Sequence, residues 1–366
     1  MRRIAGIVLA VLLIGGVVAA VVAGRQGDDK GTATKTVRGV IGSEKSDFFA
    51  DPDVVKALAA KGYTVRTEAS GSWAMDGLDL KGYDFAFPSS SAPADQLAAK
   101  YHARQPLPRP FYSPLVVVAH RSAADVLAAN GLAVLDGKGK GKGKGKGKGT
   151  LRMTAYLDAV RHDRTWQQLK GATAHGELTG TLYITSTDPE TSNSGALYLA
   201  ATSYVANGGR VVAGNADITR TAPLLHQLVS VQGAQQPSSD SVFRDFISGA
   251  GNPLVCLYES QVVSLLAEQH GADDLVVLYP DTTVNSDHTI VPLDDAGRGL
   301  GELLSTDPAL RRLAVKHGFR PQGDSAEFVT ATADRAAYLN QTLTGVRQAP
   351  VPTSAVLHEM ARRARG

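Results

Sequence analysis

The chain has 366 residues, of which 43% are hydrophobic and 20% charged, and it contains one cysteine. This length suffices for two domains of a globular protein, while a single cysteine excludes an internal disulfide and a zinc site built from cysteine pairs. Of the 38 basic residues, two lie in the first 24 positions and six in a glycine-lysine repeat, which leaves 30 against 35 acidic residues. The body therefore lacks the basic excess expected of a nucleic-acid binder, and no nucleic-acid partner is predicted.

The first segment is an unbroken apolar run from Ile4 to Gly24 that follows two arginines. As a helix these 21 residues span about 31 Å, enough to cross the core of a bilayer. Val21-Val22-Ala23 also fits a signal-peptide cleavage site. Residues 1–24 are thus a membrane anchor or a cleaved signal peptide, and both predict an extracytoplasmic protein. Residues 25–36 read as a flexible spacer.

Alternating strands and helices follow the spacer. Residues 37–41 and 63–68 are predicted strands, and a helix between them begins with Asp51 as N-cap and Pro52 at its first position. A third strand is predicted over residues 83–87. This alternation indicates a parallel sheet.

The next segment contains a buried strand and a low-complexity tract. Residues 115–119 form a continuous apolar strand, expected to be buried on both faces, and a helix follows over 122–129. Residues 137–149 alternate glycine and lysine and are predicted to be a disordered loop, because they offer no apolar area to bury. Contact with anionic lipid or a wall polymer and a tolerated repeat expansion both remain open.

The remaining chain continues the α/β pattern. Cys256 lies in the apolar stretch after Asn252-Pro253 and is predicted to be a buried strand residue. Strands are predicted over residues 181–185, 254–258 and 275–279. Helices are predicted over residues 151–169, 194–206, 224–231, 241–247, 261–270, 300–305, 307–316 and 355–365.

Polar, small-residue clusters follow several of these strands. Ligands bind at the carboxyl ends of parallel strands, and helix starts there offer free N–H groups, so these clusters are candidate binding loops. Their residue types are also common N-caps and turn formers, and a carboxylate after the strand at 254–258 could hold a hinge instead. The candidate ligand-binding residues are Ser43, Glu44, Ser70, Ser72, Ser89, Ser90, Thr187, Asp188, Ser192, Asn193, Ser194, Tyr258 and Glu259.

The sequence carries none of the common catalytic signatures. The sequence has no G-x-S-x-G elbow, no phosphate-binding P-loop and no H-E-x-x-H motif, and its nine histidines are scattered. Asp287-His288 is interpreted as a turn rather than a catalytic dyad. The protein is therefore predicted not to be an enzyme, with no catalytic residue, cofactor or metal ligand.

Five stretches carry a family resemblance: residues 37–43, 111–117, 187–189 with 192–195, 254–260 and 318–321. Together they resemble the bacterial extracellular solute-binding proteins with two periplasmic-binding-like lobes, of the group that includes molybdate- and phosphate-type binders. The resemblance implies a type II α/β clamp with mostly parallel sheets and two crossovers between lobes, which closes on a small ligand and serves an ABC permease.

The resemblance also implies a division of the chain. Lobe one is expected over residues 37–117 and 258–350, lobe two over 118–257, and a C-terminal helix over 351–366. No cysteine follows the apolar run to accept a lipid, which favours a retained helix from Ile4 to Gly24 as the membrane tether.

The ligand and the use of the clamp stay open. Serine-rich loops suit an oxyanion, whereas Glu44, Asp188 and Glu259 argue against a strongly charged anion. The leading hypothesis is a binder that feeds a transporter. The alternative is a membrane-tethered sensor or assembly protein that uses the same clamp without transport.

Overall fold

The computed structural model describes residues 34–137, 147–268, 274–323 and 325–366. The predicted anchor or signal segment and most of the glycine-lysine tract lie outside the described residues. Within the described ranges, no helix is both long and apolar enough to span a membrane. Lys35–Gly366 cluster into one unit by their internal contacts.

The described strands have the following bounds: β1 (Lys35–Ile41), β2 (Tyr63–Ala69), β3 (Phe85–Phe87), β4 (Phe111–His120), β5 (Ala133–Leu135), β6 (Lys148–Leu151), β7 (Leu254–Tyr258), β8 (Leu275–Pro280), β9 (Thr282–Thr283), β10 (Asn285–His288), β11 (Val291–Pro292), β12 (Arg320–Pro321) and β13 (Arg347–Gln348).

The described α-helices are α1 (Ser46–Ala50), α2 (Pro52–Ala60), α3 (Ser91–Lys100), α4 (Arg121–Ala129), α5 (Met153–Arg161), α6 (Asn193–Ala206), α7 (Asn215–Ser230), α8 (Ser239–Ile247), α9 (Glu259–Glu268), α10 (Asp295–Thr306), α11 (Pro308–Lys316), α12 (Ala326–Ala331) and α13 (Ser354–Arg365).

The first sheet has four strands in the order β11-β3-β1-β2. β1 pairs in parallel with β2 and β3, and the short β11 closes the edge in the antiparallel sense. The predicted start of α2 is confirmed: Pro52 is its first residue, and the Asp51 carboxylate accepts a hydrogen bond from the backbone N–H of Asp53. Because β1, β2 and β3 run the same way, the loops that follow them meet at one edge of the sheet.

The second sheet is built around the long strand β4. Its second half lies between β7 and β8, both antiparallel to it, and β6 runs parallel to β8. Since β10 and β12 are also antiparallel to β4, five strands of this sheet point the same way, with β4 and β5 opposed. The first half of β4 pairs with β10 and β12 instead. The two sheets give the α/β, two-lobed fold with mostly parallel strands that the sequence predicts.

Burial on both faces explains the apolar run in β4. Leu115, Val117 and Ala119 pack into one hydrophobic cluster, and Val116 and Val118 into another on the opposite face. Cys256, on the neighbouring β7, is 3% exposed, which confirms the prediction of a buried strand residue.

Several predicted elements differ from the structure. The helix predicted over residues 151–169 ends at Arg161, because Asp163 adopts a left-handed conformation with φ 47°. The strand predicted over 181–185 is reduced to two isolated bridges, at Thr181 and Thr185. The turn predicted at Asp287-His288 is wrong: both residues lie in β10, where alternation buries His288 and leaves Asp287 partly exposed.

The chain after β7 contributes to both sheets. β8, in a segment that the sequence analysis assigns to lobe one, pairs with β4 and β6 in the second sheet. Phe328 and Leu339 belong to the same hydrophobic cluster as β7 and β8. The C-terminal helix α13 packs mainly against α7. The lobe boundaries given above stay a prediction.

Candidate functional site

A small cavity lies where the loops after β1, β2 and β3 meet the start of α6. Its volume is about 10 Å³, about what one water molecule requires. Twelve residues line it, and eight of them are among the thirteen predicted from sequence. Those eight are Ser43, Glu44, Ser70, Ser72, Ser89, Ser192, Asn193 and Tyr258.

The loops on the two sides of the cavity touch directly. The backbone N–H groups of Trp73 and Ala74, in the loop after β2, donate to the carbonyl of Thr191 at 3.2 and 3.3 Å. The Ser238 hydroxyl donates to that of Ser43 at 3.2 Å. Gly71 is required at this contact, because a Cβ there would lie 2.3 Å from the Thr191 carbonyl oxygen.

Two of the predicted serines occupy N-cap positions without using their side chains as caps. Ser90 precedes α3 and Ser192 precedes α6, and neither makes a side-chain cap hydrogen bond. Ser90 instead donates to the Asn193 side-chain oxygen at 2.5 Å, across the cavity edge. The hydroxyl of Ser192 contacts that of Ser194 at 3.3 Å. For these two residues helix capping does not explain the side chain.

Asn193 connects the two halves of the site. Its side-chain amide donates to the hydroxyl of Tyr258 at 3.0 Å and to that of Ser286 at 3.3 Å. The Ser286 hydroxyl in turn donates to the Ser89 carbonyl. The polar groups predicted to face each other are thus joined in one hydrogen-bonded network.

Glu44 is the charged side chain that lines the cavity. The buried side chains of Lys45 and His288 contact its carboxylate. Oε1 of Glu44 receives hydrogen bonds from the Lys45 ammonium and, at 2.7 Å, from the Ser89 hydroxyl. The Lys45 ammonium also lies 3.2 Å from Nδ1 of His288. Lys45 and His288 have no solvent exposure.

Burial and charge act against each other on these groups. Burial alone would raise the pKa of Glu44, but the Lys45 ammonium and His288 hold it well below its usual range. Burial, with repulsion from Lys45, lowers the pKa of His288 to about 4. At neutral pH the site therefore holds an ionised Glu44 and a neutral imidazole.

A second carboxyl approaches from α8. Burial, and then repulsion from Glu44 and Asp47, raises the pKa of Asp240 to about 6. The side-chain amide of Gln261 donates to Asp240 at 2.5 Å. The Gln261 amide thus favours the ionised form of Asp240, whereas the carboxylates of Glu44 and Asp47 disfavour it.

The other predicted residues lie outside the cavity lining. The hydroxyls of Thr187 and Ser194 are buried and 2.7 Å apart. Asp188 accepts a hydrogen bond from the Glu190 N–H and pairs with Arg365 at 3.4 Å. Glu259 forms a buried ion pair with Arg320.

Sequence reasoning missed Lys45, Asp240, Ser286 and His288 as site residues. Lys45 directly follows the predicted residues Ser43 and Glu44, so proximity is a usable signal. Ser286 and His288 alternate with partly exposed residues in β10, a period-two pattern typical of a half-buried strand. Asp240 is brought in by tertiary packing, and nothing in its local sequence marks it.

No family model and no curated protein matches the sequence. Among solved structures, it is similar to the sulfate-binding protein SubI from Mycobacterium tuberculosis, with a TM-score of 0.56 and 16% identity over 88% of this chain and 96% of that chain. A periplasmic thiamin binding protein gives a TM-score of 0.56 at 12% identity, over 93% of this chain and 99% of that chain.

A third similar structure is the periplasmic binding protein AfuA from Actinobacillus pleuropneumoniae with fructose-6-phosphate bound, with a TM-score of 0.56 and 12% identity over 91% of this chain and 97% of that chain. The described residues thus have the two-lobed fold of type II periplasmic solute-binding proteins, as the sequence resemblance implies. At these identities the likeness is one of fold.

Proposed function

We propose that the protein is an extracytoplasmic solute-binding protein that captures a small polar ligand between its lobes and presents it to an ABC permease. The observation that carries this proposal is the convergence of eight predicted polar residues on one cavity at the strand ends. The structurally similar proteins named above are binding proteins, which also favours binding over catalysis.

The cavity supports a clamp that opens and closes. A volume of about 10 Å³ leaves room for roughly one water molecule, so a solute enters only if the two sides separate. The contacts that hold them together include polar ones, such as those of Thr191 and of Ser43 with Ser238, beside the packing of Trp73 against His358. The polar contacts are readily exchanged for hydrogen bonds to water or ligand.

Closure can be tested without altering a polar side chain of the cavity. In the Gly71→Ala variant the new Cβ meets the Thr191 carbonyl oxygen at 2.3 Å, so the closed form is disfavoured. Gly77→Ala is the matched control, because a Cβ there meets nothing within 4 Å. A thermal-shift panel of oxyanions, sugars, amino acids and metal ions would be measured on the full chain and both variants.

We expect one class of solute to raise the melting temperature of the wild-type chain and of Gly77→Ala, because a ligand that binds the folded state stabilises it by mass action. The same shift should be lost or strongly reduced in Gly71→Ala. Equal shifts in both variants would contradict a closing clamp, and no shift with any solute would contradict solute binding.

A second candidate function is that of a membrane-tethered sensor or assembly protein that uses the clamp without transport. Deleting the protein should reduce solute uptake if it serves a permease. Unchanged uptake with an altered activity of a partner protein would favour the sensor. In both cases we propose the segment from Ile4 to Gly24 as the tether, and a mature N-terminus at Gly24 or later in culture medium would rule that out.

A further inference from the structure

The cavity lining contains a negatively charged side chain and no positively charged one. Of its twelve residues, Glu44 alone carries a charge, and the rest offer hydroxyls, an amide, a proline and glycine backbone. The nearest ammonium, that of Lys45, does not line the cavity. It is already engaged by Glu44, by the Ser89 hydroxyl at 3.4 Å and by His288.

One oxygen of Glu44 is left for a ligand. The hydrogen bonds from Lys45 and Ser89 reach Oε1, and so does the 3.3 Å contact with Nδ1 of His288. Among the described residues, none donates a hydrogen bond to Oε2. A carboxylate that lines a binding cavity with one unengaged oxygen is an acceptor, and it costs free energy unless a bound donor or water satisfies it.

Lys45 and His288 act as positioning residues for this acceptor. Lys45 is held among buried groups and lies over the Phe87 ring at 4.7 Å, while His288 packs against Phe111 and Phe319. Both side chains are fully buried, and neither lines the cavity. The pair therefore fixes Glu44 as an ionised acceptor without offering a positive charge to the solute.

We infer that the cleft selects a solute that donates a hydrogen bond to Glu44, from a hydroxyl or an N–H group, and that it rejects fully deprotonated oxyanions. The inference rests on the proposed function. An oxyanion without a proton has acceptors only, so against Glu44 it meets like charge and leaves the carboxylate unsatisfied. A hydroxyl or N–H group satisfies it, while the serine hydroxyls and Asn193 serve the solute's remaining polar atoms.

The test is a selectivity panel on the full-length wild-type chain at pH 7, read by calorimetry. Sulfate and molybdate carry no proton to donate. Inorganic phosphate, fructose and serine donate from a P–OH, from alcohols and from an ammonium, which separates the sources of the donor. We expect binding of at least one donor-bearing probe and none of sulfate or molybdate. This measurement does not depend on any variant folding.

A pair of variants locates the effect. Glu44→Gln should weaken binding of the donor-bearing probe at least about tenfold, because the charged acceptor becomes a neutral amide that accepts a weaker hydrogen bond. Glu327→Gln, an exposed carboxylate paired with Arg311, is the matched control and should leave binding unchanged.

The outcomes separate the two proposals. Binding of sulfate or molybdate by the wild-type chain, or a donor-bearing probe that binds Glu44→Gln as tightly as wild type, would overturn the inference and leave the solute-binding function standing. Binding of no probe at all would overturn both.

Discussion

Two buried carboxylates of this protein are each paired with a buried cation, yet their surroundings differ. Glu44 pairs with Lys45 at the strand ends, and Glu259 pairs with Arg320 where α9 follows β7. Both carboxylates and both cations are almost inaccessible to solvent. Sequence reasoning places both carboxylates among the candidate ligand-binding residues, and the structure separates them.

The difference lies in how completely each carboxylate is satisfied. Arg320 contacts Oε2 of Glu259 at 2.6 Å and Oε1 at 2.8 Å, and the Tyr279 hydroxyl also donates to Oε1. Two further N–H groups of Arg320 donate to the carbonyls of Asn340 and Gln341. Both carboxylate oxygens of Glu259 thus accept hydrogen bonds from the described residues of the protein, whereas only one oxygen of Glu44 does. A closed network of this kind fixes structure, and an incomplete one beside a cavity is suited to a ligand.

The largest effect should come from breaking the closed network. Arg320→Met leaves Glu259 as a buried, unpaired carboxylate and two backbone carbonyls without their donor. Removing one partner of a buried pair costs about 3–5 kcal/mol, so we expect a loss of that size in the free energy of unfolding, measured by urea denaturation. Arg311→Met, which breaks the more exposed pair with Glu327, should change it by less than about 1 kcal/mol.

A loss below about 1 kcal/mol in Arg320→Met would mean that the Glu259 network is not structural. That result would favour the prediction that Glu259 is a ligand-binding residue.

A smaller, pH-dependent effect should come from the pair at the cavity. In Lys45→Met the cation that does most to lower the pKa of Glu44 is gone and only His288 still opposes burial, so we expect that pKa to rise. We expect a loss of about 2–3 kcal/mol at pH 7, because a charged acceptor has lost its main partner.

The contribution of Glu44 to the free energy of unfolding depends on pH in opposite directions in the wild-type chain and in Lys45→Met. With its pKa depressed, Glu44 stabilises the wild-type fold above its unfolded pKa, and this stability is lost as pH falls. With its pKa raised, Glu44 destabilises the variant as pH rises. The difference between the two should therefore shrink from pH 7 to pH 4. A difference equal at both pH values would contradict the proposed role of Lys45, and Lys100→Met, at an exposed lysine, is the control.

The same contrast explains what the sequence could and could not predict. Strand-end position predicted the cavity, because parallel strands bring their carboxyl ends to one edge, and Ser43, Ser72 and Ser89 lie there. Local sequence could not distinguish Glu44 from Glu259, since both follow a buried strand. The distinction depends on Arg320, which is 61 residues away along the chain from Glu259.

The predicted elements are wrong where tertiary packing, and not local propensity, determines the structure. Residues 162–169 carry a helix-compatible composition, but the chain turns at Asp163 and forms a short 3-10 helix, Trp166–Gln168, that buries Trp166. His288 was missed because two polar residues in sequence suggested a turn. Pairing with β4 makes the segment a strand, and the buried position follows from that pairing.

The smallest effect concerns a third carboxyl near the cavity, that of Asp240, which forms no salt bridge with any residue that the structure describes. The pKa of Asp240 is raised to about 6 by burial and by repulsion from Glu44 and Asp47. An acid whose folded pKa lies above its unfolded value favours folding when protonated, and this contribution is lost as pH rises through about 6.

Asp240→Asn keeps an oxygen for Gln261 and removes the ionisation. We expect the variant to be more stable than wild type by about 1–2 kcal/mol at pH 7, since two pKa units correspond to roughly 3 kcal/mol and partial solvent exposure screens part of it. The gain should vanish by pH 4, where the wild-type carboxyl is protonated. Asp245→Asn, on the exposed side of the same helix, is the control and should show no such trend. A gain in Asp240→Asn that does not change between pH 4 and pH 7 would show that burial and the neighbouring carboxylates do not raise the pKa of Asp240, and the contrast between an incomplete and a closed carboxylate network would then rest on Glu44 and Glu259 alone.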